Sequence, residues 1–255
     1  MSYDLMVFNH LEVPCKLAQL RPWLCTHMEN DAVLDKTPAI FSAFLESMNK
    51  VFPPMDHCPE DQLEYACDYE IHKDFIYMCF GYSVSREAHD IVKRQARIDN
   101  LGFWEVSQSF DRTFPITLPT DKWPMLLEAG WVKYGKYFVY SYEEVRKVLI
   151  QMKTIERSSL CLTDRFGNYI QAGGYGDTFI AEVRRYTSAV TYQHMRADLK
   201  EGFSDADTFV QINDFRIRVP ESQILSKNQV CQLFQEFTDE IQKENLNIFW
   251  KRLEI

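Results

Sequence analysis

Three glycines within four positions are the first residues whose spacing suggests chemistry. Gly173, Gly174 and Gly176 lie in the stretch QAGGYGDTFIAEV. A Walker-type phosphate loop requires G-x-x-x-x-G-K-[ST], and a dinucleotide-binding loop requires G-x-G-x-x-G between a strand and a helix. The glycines match neither spacing, Asp177 adds a negative charge, and the residues that follow are β-branched and aromatic. We therefore predict a turn between two strands, in which glycine supplies positive φ angles.

Histidine, cysteine and serine are the next candidates for metal binding or nucleophilic catalysis. The six histidines form neither H-x-x-x-H nor H-E-x-x-H, and Cys58 beside His57 is an isolated pair of potential ligands. The seven cysteines contain no C-x-x-C pair, which favours free, mostly buried thiols. Ser158 and Ser159 do not lie in the G-x-S-x-G motif of a nucleophile elbow. Because catalytic triads also assemble from distant segments, the missing motif does not exclude an enzyme. We predict no catalytic residue, no metal ligand and no cofactor.

Acidic residues are concentrated between positions 56 and 74, where seven carboxylates face the single base Lys73. Such a field attracts a cationic partner and speeds its association, whereas a solvated loop is the simplest structural explanation. Tyrosines within the stretch offer aromatic contact area to a partner, or else pack into the sheet. The residues that we predict to bind a partner are Asp56, Glu60, Asp61, Glu64, Tyr65, Asp68 and Tyr69.

The charge balance narrows the class of partner. The formal net charge is −9; residues 1–118 carry 18 acids and 10 bases, whereas the remaining 137 residues carry 19 acids and 18 bases. This balance argues against nucleic-acid binding, which requires a basic surface, and suits a protein with a basic surface. The N-terminus shows no signal-peptide pattern, and no run of 18 apolar residues occurs. We expect a cytoplasmic protein that does not bind a membrane.

The elements that position these residues in the first half follow from hydrophobic periodicity. Thr37 before Pro38 predicts a capped helix that ends near position 51, and Ser85 predicts the cap of a second helix that ends near position 100. The apolar run over residues 75–80 is typical of a strand that is covered on both faces. The predicted strands are residues 2–8, 67–71, 75–80 and 102–106.

The second half begins after residues 110–120, which contain two prolines and no helical period. We place the domains at 1–112 and 120–255. The predicted helices of the second domain are residues 123–133, 142–154 with Ser141 as cap, and 227–245. Its predicted strands are residues 137–140, 160–162, 169–172, 179–185, 189–195, 209–212 and 215–219. These patterns predict an α+β fold of two domains, each a mainly antiparallel sheet packed with helices.

Two segments resemble known bacterial proteins. MSYDLMVF, the later FPPM and residues 68–107 resemble a widespread bacterial family of unassigned biochemistry. Residues 160–198, together with the strands and the helix that follow them, resemble the immunity domains of bacterial polymorphic toxin systems. The matching positions are Gln171, Gly173, Gly174, Glu182 and the strand around Val210. The second resemblance implies an inhibitor that is not an enzyme and binds a cognate toxin, and it assigns no contact residue.

Residues and resemblance together predict an immunity protein that acts in bacterial competition. It would bind a cognate toxin or secretion-system effector with a basic surface, and would neutralise it by covering its active site or substrate surface. Two alternatives stay open, a hydrolase with an unrecognised site and an adaptor that joins two partners through its two domains. A polar pocket that holds carboxylates or histidine would favour the hydrolase.

Overall fold

The computed structural model describes residues 2–108, 110–199, 206–239 and 247–253. The chain divides into two compact units. Unit 1 comprises Met1–Asp121 and Ser188–Val190, and unit 2 comprises Lys122–Thr187 and Thr191–Ile255. Helices and antiparallel sheets occur in both units, which confirms the predicted α+β fold in two parts. The limits 1–112 and 120–255, as boundaries of independently folding domains, stay a prediction.

Unit 1 is built on a five-stranded antiparallel sheet with helices against both of its faces. Its strands are β1 (Ser2–Phe8), β2 (Cys67–Ile71), β3 (Phe75–Gly81), β4 (Gly102–Glu105) and β5 (Ile116–Thr117), in the order β2-β3-β1-β4-β5. Its helices are α1 (Leu17–Asn30), α2 (Ser42–Met48) and α3 (Ser85–Ile98). Because side chains alternate along a strand, Leu5 packs towards α2 and α3, and Met6 packs towards α1.

Three expectations for the helices of unit 1 need correction. Helix α1 was not predicted, because Pro22 lies inside it and reads as a break. Thr37 does not cap a helix, since a short 3₁₀ helix, Ala39–Phe41, precedes α2. Ser85 is the first residue of α3, and its hydroxyl donates to the Tyr82 carbonyl at 2.7 Å. In both cases a 3₁₀ turn shifts the start of the helix relative to the expected cap.

In its described residues, unit 2 contains a seven-stranded antiparallel sheet, two helices and a separate hairpin. The strands of the sheet are β6 (Met125–Glu128), β7 (Lys136–Val139), β8 (Ser159–Thr163), β9 (Tyr169–Tyr175), β10 (Thr178–Tyr186), β11 (Tyr192–Leu199) and β14 (Ile248–Arg252). Their order is β14-β11-β10-β9-β8-β6-β7. The hairpin is β12 (Asp207–Ile212) with β13 (Phe215–Pro220), and the helices are α4 (Tyr142–Leu149) and α5 (Lys227–Asp239). The core lies between one face of the sheet and these helices.

The predicted helix over residues 123–133 is wrong, because β6 occupies its centre. Met125 and Leu127 alternate into the core, and pairing with β7 and β8 on both sides holds the segment extended. Helix α4 ends earlier than predicted, and its Ser141 cap is confirmed by a hydrogen bond from the Glu144 N–H. Strand β14 was not predicted. The predicted end of α5 at position 245 lies outside the described residues.

The glycine-rich stretch is a hairpin between β9 and β10, as predicted. Gly176 has φ +67° in the turn, and Gly174 has φ +127°, a backbone conformation in which a Cβ would overlap the Thr178 carbonyl. The space beside Gly173, which a Cβ would fill, holds the Ile212 side chain of β12. These glycines therefore allow a tight turn and the close approach of a second hairpin.

The cysteines are free, as predicted, but their burial differs from the expectation. Cys67 is buried within the core of unit 1, Cys25 is exposed, and the other five are partly exposed. The prediction of mostly buried thiols is therefore wrong. Four of the partly exposed thiols lie on strands and loops, and Cys231 lies on α5, so free cysteine is not restricted here to the core.

Candidate functional site

The residues predicted to bind a partner lie in one stretch of unit 1, next to the edge strand β2. Asp56 lies in the 3₁₀ helix Met55–His57, and Asp68 and Tyr69 lie on β2. The remaining four residues belong to the 3₁₀ helix Glu60–Tyr65. All five carboxylates are exposed, and within the described residues none has an ion-pair or hydrogen-bond partner.

Apolar side chains are exposed between these acids. Met55 and Leu63 each keep 54% of their surface accessible, and Tyr65 keeps 39%. Apolar groups that are surrounded by charged ones are typical of protein interaction sites. We call Asp56, Glu60, Asp61, Glu64 and Asp68, together with Met55, Leu63 and Tyr65, the acidic surface.

Tyr69 differs from the other predicted residues because it anchors β2. Its ring packs against the core of unit 1, and its hydroxyl donates to the Phe52 carbonyl at 2.7 Å. Burial raises the pKa of Tyr69 well above its ordinary value, so the hydroxyl stays protonated. Tyr69 therefore supports the strand and contributes to the wall of a neighbouring cavity rather than projecting towards a partner.

That cavity, of about 250 Å³, lies beside β2 and joins three of the predicted residues. Asp56 and Asp68 line it together with Tyr69. Met55 and Ile71 are among the apolar residues of its wall. Apolar walls next to exposed carboxylates suit a long cationic side chain, whose stem is apolar and whose head is charged.

A second group of functional side chains crosses the sheet of unit 2, and the sequence did not predict it. Residues that are directly paired on neighbouring strands share one face of a sheet, and here every member of one such row is polar. The polar row consists of Lys136, Glu128, Cys161, Gln171, Glu182, Arg196 and Lys251, from β7 to β14. The adjacent residues of these strands point to the other face, where α4 and α5 pack.

A network of hydrogen bonds centres on Glu182, whose side chain is 11% exposed. Nε and Nη2 of Arg196 both donate to Oε1, and Gln171 Nε2 donates to Oε2 at 2.7 Å. His194 Nε2 lies 3.2 Å from the same Oε2 atom. Arg196 also reaches Gln223, so the charge of Glu182 is compensated by nearby donors.

A cavity of unit 2 lies between the polar row and the hairpin β12–β13. Its volume is about 380 Å³. The polar groups around it belong to Glu128, Ser159, Cys161, Gln171 and Glu182. The apolar side is formed by Ile180, Ile212 and Ile217.

Contacts at the turn of the hairpin hold this cavity open. The Asn213 N–H donates to Ser158 Oγ at 2.7 Å, and that hydroxyl donates to the Ile155 carbonyl at 2.6 Å. Ile212 fills the space beside Gly173, which places the hairpin directly over β9. Ser158, for which the sequence shows no nucleophile motif, is fully buried and serves to attach the hairpin.

The cavity is lined by two glutamates and a cysteine, whose side chains can serve as acid, base or nucleophile in hydrolases. Burial raises the pKa of the Cys161 thiol, and the charge of Glu128 raises it further, outweighing the hydrogen bond with Thr163. A protonated thiol is a poor nucleophile. The oxygens of Glu182 are already engaged by Arg196 and Gln171. The arrangement is therefore better suited to binding a ligand than to attacking one.

Next to the polar row, Arg184 forms a second ordered group on the same face. Its guanidinium lies between the rings of Tyr169 and Tyr192, 4.6 and 4.5 Å from their centroids. Stacking of this kind fixes the planar guanidinium and orders the neighbouring tyrosines. Burial raises the pKa of Tyr169. This group lies beside the Glu182 network on the same face of the sheet.

No family model, curated protein sequence or solved structure matches the chain. In the parts of the chain that the structure describes, no helix is both long and apolar enough to cross a membrane. The candidate sites therefore rest on the geometry of this chain. One signal for the polar row was present in the sequence, since Gln171 and Glu182 interrupt otherwise apolar strand patterns, but their pairing required the register of β9 and β10.

Proposed function

We propose that the protein is a binding protein that neutralises a cognate bacterial toxin by covering its active site or substrate surface. The acidic surface of unit 1 makes the contact. The observation that carries the proposal is a set of five exposed carboxylates that lack partners among the described residues and surround exposed Met55, Leu63 and Tyr65.

The charges of this surface suit recognition of a basic protein. Carboxylates that have no intramolecular partner lose no ion pair when a cation approaches, so their field is fully available for steering. The apolar side chains between them supply the contact area that exposed ion pairs alone do not. The resemblance of residues 160–198 to immunity domains supports a toxin as the class of partner.

The cavity beside β2 specifies one contact within this proposal. A lysine or arginine side chain of the toxin enters it, with the methylene stem against Met55 and Ile71 and the cationic head at Asp56 and Asp68. Such a side chain is a common component of a substrate-binding or nucleic-acid-binding cleft. Occupying it removes that cation from the toxin's own substrate.

The test compares partner capture by the full chain and by two charge-reversal variants. In the first, Asp61, Glu64 and Asp68 become lysine; in the matched control, Glu12, Glu29 and Asp35 become lysine, which are exposed acids of the same unit. Captured proteins are identified by mass spectrometry at low and at moderate salt. The partner is then produced alone and together with each variant, and growth of the producing cells is measured.

We expect the unmodified chain and the control to capture one basic toxin and to restore growth. The first variant should associate with it at least about tenfold more slowly and fail to restore growth. Equal capture and equal protection by the two variants would remove the acidic surface from the proposal. Failure of the unmodified chain to restore growth would contradict the proposed function itself.

A further inference from the structure

We propose that the cavity of unit 2 is a binding site for an alkylammonium ligand, a small organic cation with an apolar body. The site lies on the face of the unit 2 sheet that carries the polar row and is not covered by helices α4 and α5. None of its residues belongs to the acidic surface. The inference does not depend on the proposed function.

The charge of the cavity selects a cation. Lysine, arginine and histidine are absent from the residues that line the described cavity, whereas two glutamates are present. Glu182 is compensated by Arg196. Glu128 forms no ion pair within the described residues, although Lys136 lies opposite it on β7. The cavity therefore holds one uncompensated negative charge, and its partial enclosure strengthens the attraction to a cation.

The hydrogen-bonding groups that line the cavity are mainly acceptors, which suits an ammonium group. Gln171 donates its amide N–H to Glu182, which leaves its carbonyl oxygen as an acceptor at the cavity. The carboxylate of Glu128 supplies further acceptors, and an ammonium group supplies three donors. An anion would meet acceptors and a negative charge, so this site disfavours it.

The shape of the cavity accounts for the apolar body of the ligand. Ile212 and Ile217 of the hairpin form the side that faces the polar row, and Ile180 of β10 adds apolar surface beside Glu182. A volume of about 380 Å³ is within the range of small-molecule sites. The short side chains of Ser159 and Cys161 leave this volume unfilled. Because Ile212 is held beside Gly173, the site exists before a ligand binds, which lowers the entropic cost of binding.

The first experiment titrates the full-length protein with three probes of equal length, n-pentylammonium, 1-pentanol and pentanoate. Amide NMR shifts of β8, β9, β10 and the hairpin report binding at the cavity. We expect n-pentylammonium to bind at least about tenfold more tightly than pentanoate, with 1-pentanol between them. A lysine in the peptide acetyl-Gly-Lys-Gly-amide is titrated in parallel, so that a free amine is distinguished from a lysine side chain of a protein.

Three variants test whether the cavity charge is responsible. Glu128→Gln should weaken n-pentylammonium binding at least about tenfold, and Lys136→Gln should strengthen it about two- to threefold, because a nearby positive charge is removed. The control Glu143→Gln removes an exposed carboxylate from α4, outside the cavity, and should leave the affinity unchanged. A circular dichroism spectrum confirms that each variant is folded.

Alkylation of Cys161 in the unmodified protein gives a second test that needs no variant. Iodoacetamide is applied with and without each probe, and the rate at Cys161 is followed by peptide mass spectrometry with exposed Cys25 as internal control. We expect n-pentylammonium to slow the reaction at Cys161 about threefold or more, and pentanoate to leave it unchanged. Equal affinities for the three probes, or an unchanged affinity of Glu128→Gln, would overturn the proposal even if toxin capture succeeds.

Discussion

Charged residues lie in different places in the two units of this protein. In unit 1 helices pack against both faces of the sheet, and the predicted acids lie mainly on the connection between α2 and β2. In unit 2 the helices cover one face, and the polar row runs over the other face, with charged side chains on five of the seven strands. When both faces of a sheet are packed, its charged side chains lie mostly at its edges and on the connections between elements. When one face is open, charged side chains can lie across that face.

Each sheet nevertheless contains one well-buried glutamate, and the two are stabilised differently. Glu105 in unit 1 accepts hydrogen bonds from the Tyr3 hydroxyl and from the backbone N–H groups of Phe110 and Asp111. Glu182 in unit 2 depends on the guanidinium of Arg196. The first carboxylate is held mainly by neutral donors from β1 and from a loop, the second by a cation on the adjacent strand. Substitutions at each site measure how far this difference matters.

Arg196→Met should give the largest effect. It leaves the nearly buried Glu182 without its cation, and we expect the free energy of unfolding of unit 2 to fall by about 3–4 kcal/mol. The control Arg218→Met breaks the exposed pair with Asp207 and should cost less than about 1 kcal/mol. Urea denaturation followed by hydrogen exchange of β9–β11 measures both, and equal losses would contradict the assigned role of burial.

Gly174→Ala should have the next largest effect and lower the free energy of unfolding of unit 2 by about 3 kcal/mol. The new Cβ would overlap the Thr178 carbonyl, and the backbone at φ +127° disfavours any L side chain. Gly176→Ala is the matched control, because its Cβ meets open space at φ +67° and should cost about 1 kcal/mol. Thermal unfolding of the two variants gives the comparison. A greater loss for the turn position would show that backbone contact does not limit this hairpin.

Glu105→Gln should have a smaller effect and lower the free energy of unfolding of unit 1 by about 2 kcal/mol at neutral pH. It should also change how the stability of unit 1 depends on pH. Burial by itself raises the pKa of Glu105, but the donors from Phe110, Asp111 and Tyr3 outweigh it and hold that pKa below its ordinary value. The carboxylate therefore stabilises unit 1 above the unfolded-state value of 4.5, and this contribution is lost as pH falls through the lower folded-state pKa.

Denaturation between about pH 3 and about pH 7 tests this contribution, with unit 1 followed by hydrogen exchange. The unmodified protein should lose stability in unit 1 below about pH 4.5, and Glu105→Gln should lose less over the same interval. Identical slopes would show that other carboxylates govern acid unfolding. The Arg196→Met variant should retain the acid response of unit 1, because its change lies in the other unit.

Several elements were predictable because their signals are local. The apolar residues of 2–8 and the apolar run at 75–80 define β1 and β3, and Ser141 caps α4 through a hydrogen bond within four residues. The helix prediction for residues 123–133 was wrong because the apolar residues of this segment fit a helix as well as a strand. Pairing with β7 and β8 decided that choice, and no local signal reports such pairing.

The exposed acids of the acidic surface were predictable from their density in the sequence, but the role of Tyr69 was not. The polar row was hidden for a further reason, since its seven members are spread over residues 128–251 and each looks ordinary in its own strand. A one-residue change of register would turn a strand's side chains to the other face. Glu128 and Gln171 therefore acquire a common cavity only through the observed pairing.

By itself, the sequence determined the α+β class, most strands of the two sheets, the glycine turn and the acidic stretch, because periodicity, turn chemistry and charge density act over a few neighbouring residues. The tertiary structure decided which strands pair, that Tyr69 faces the core, and that Glu182 meets Arg196 and Gln171. It also decided that Ile212 lies beside Gly173 and leaves a cavity open. These features depend on contacts between distant segments, whose free energy exists only once the register of the whole sheet is formed.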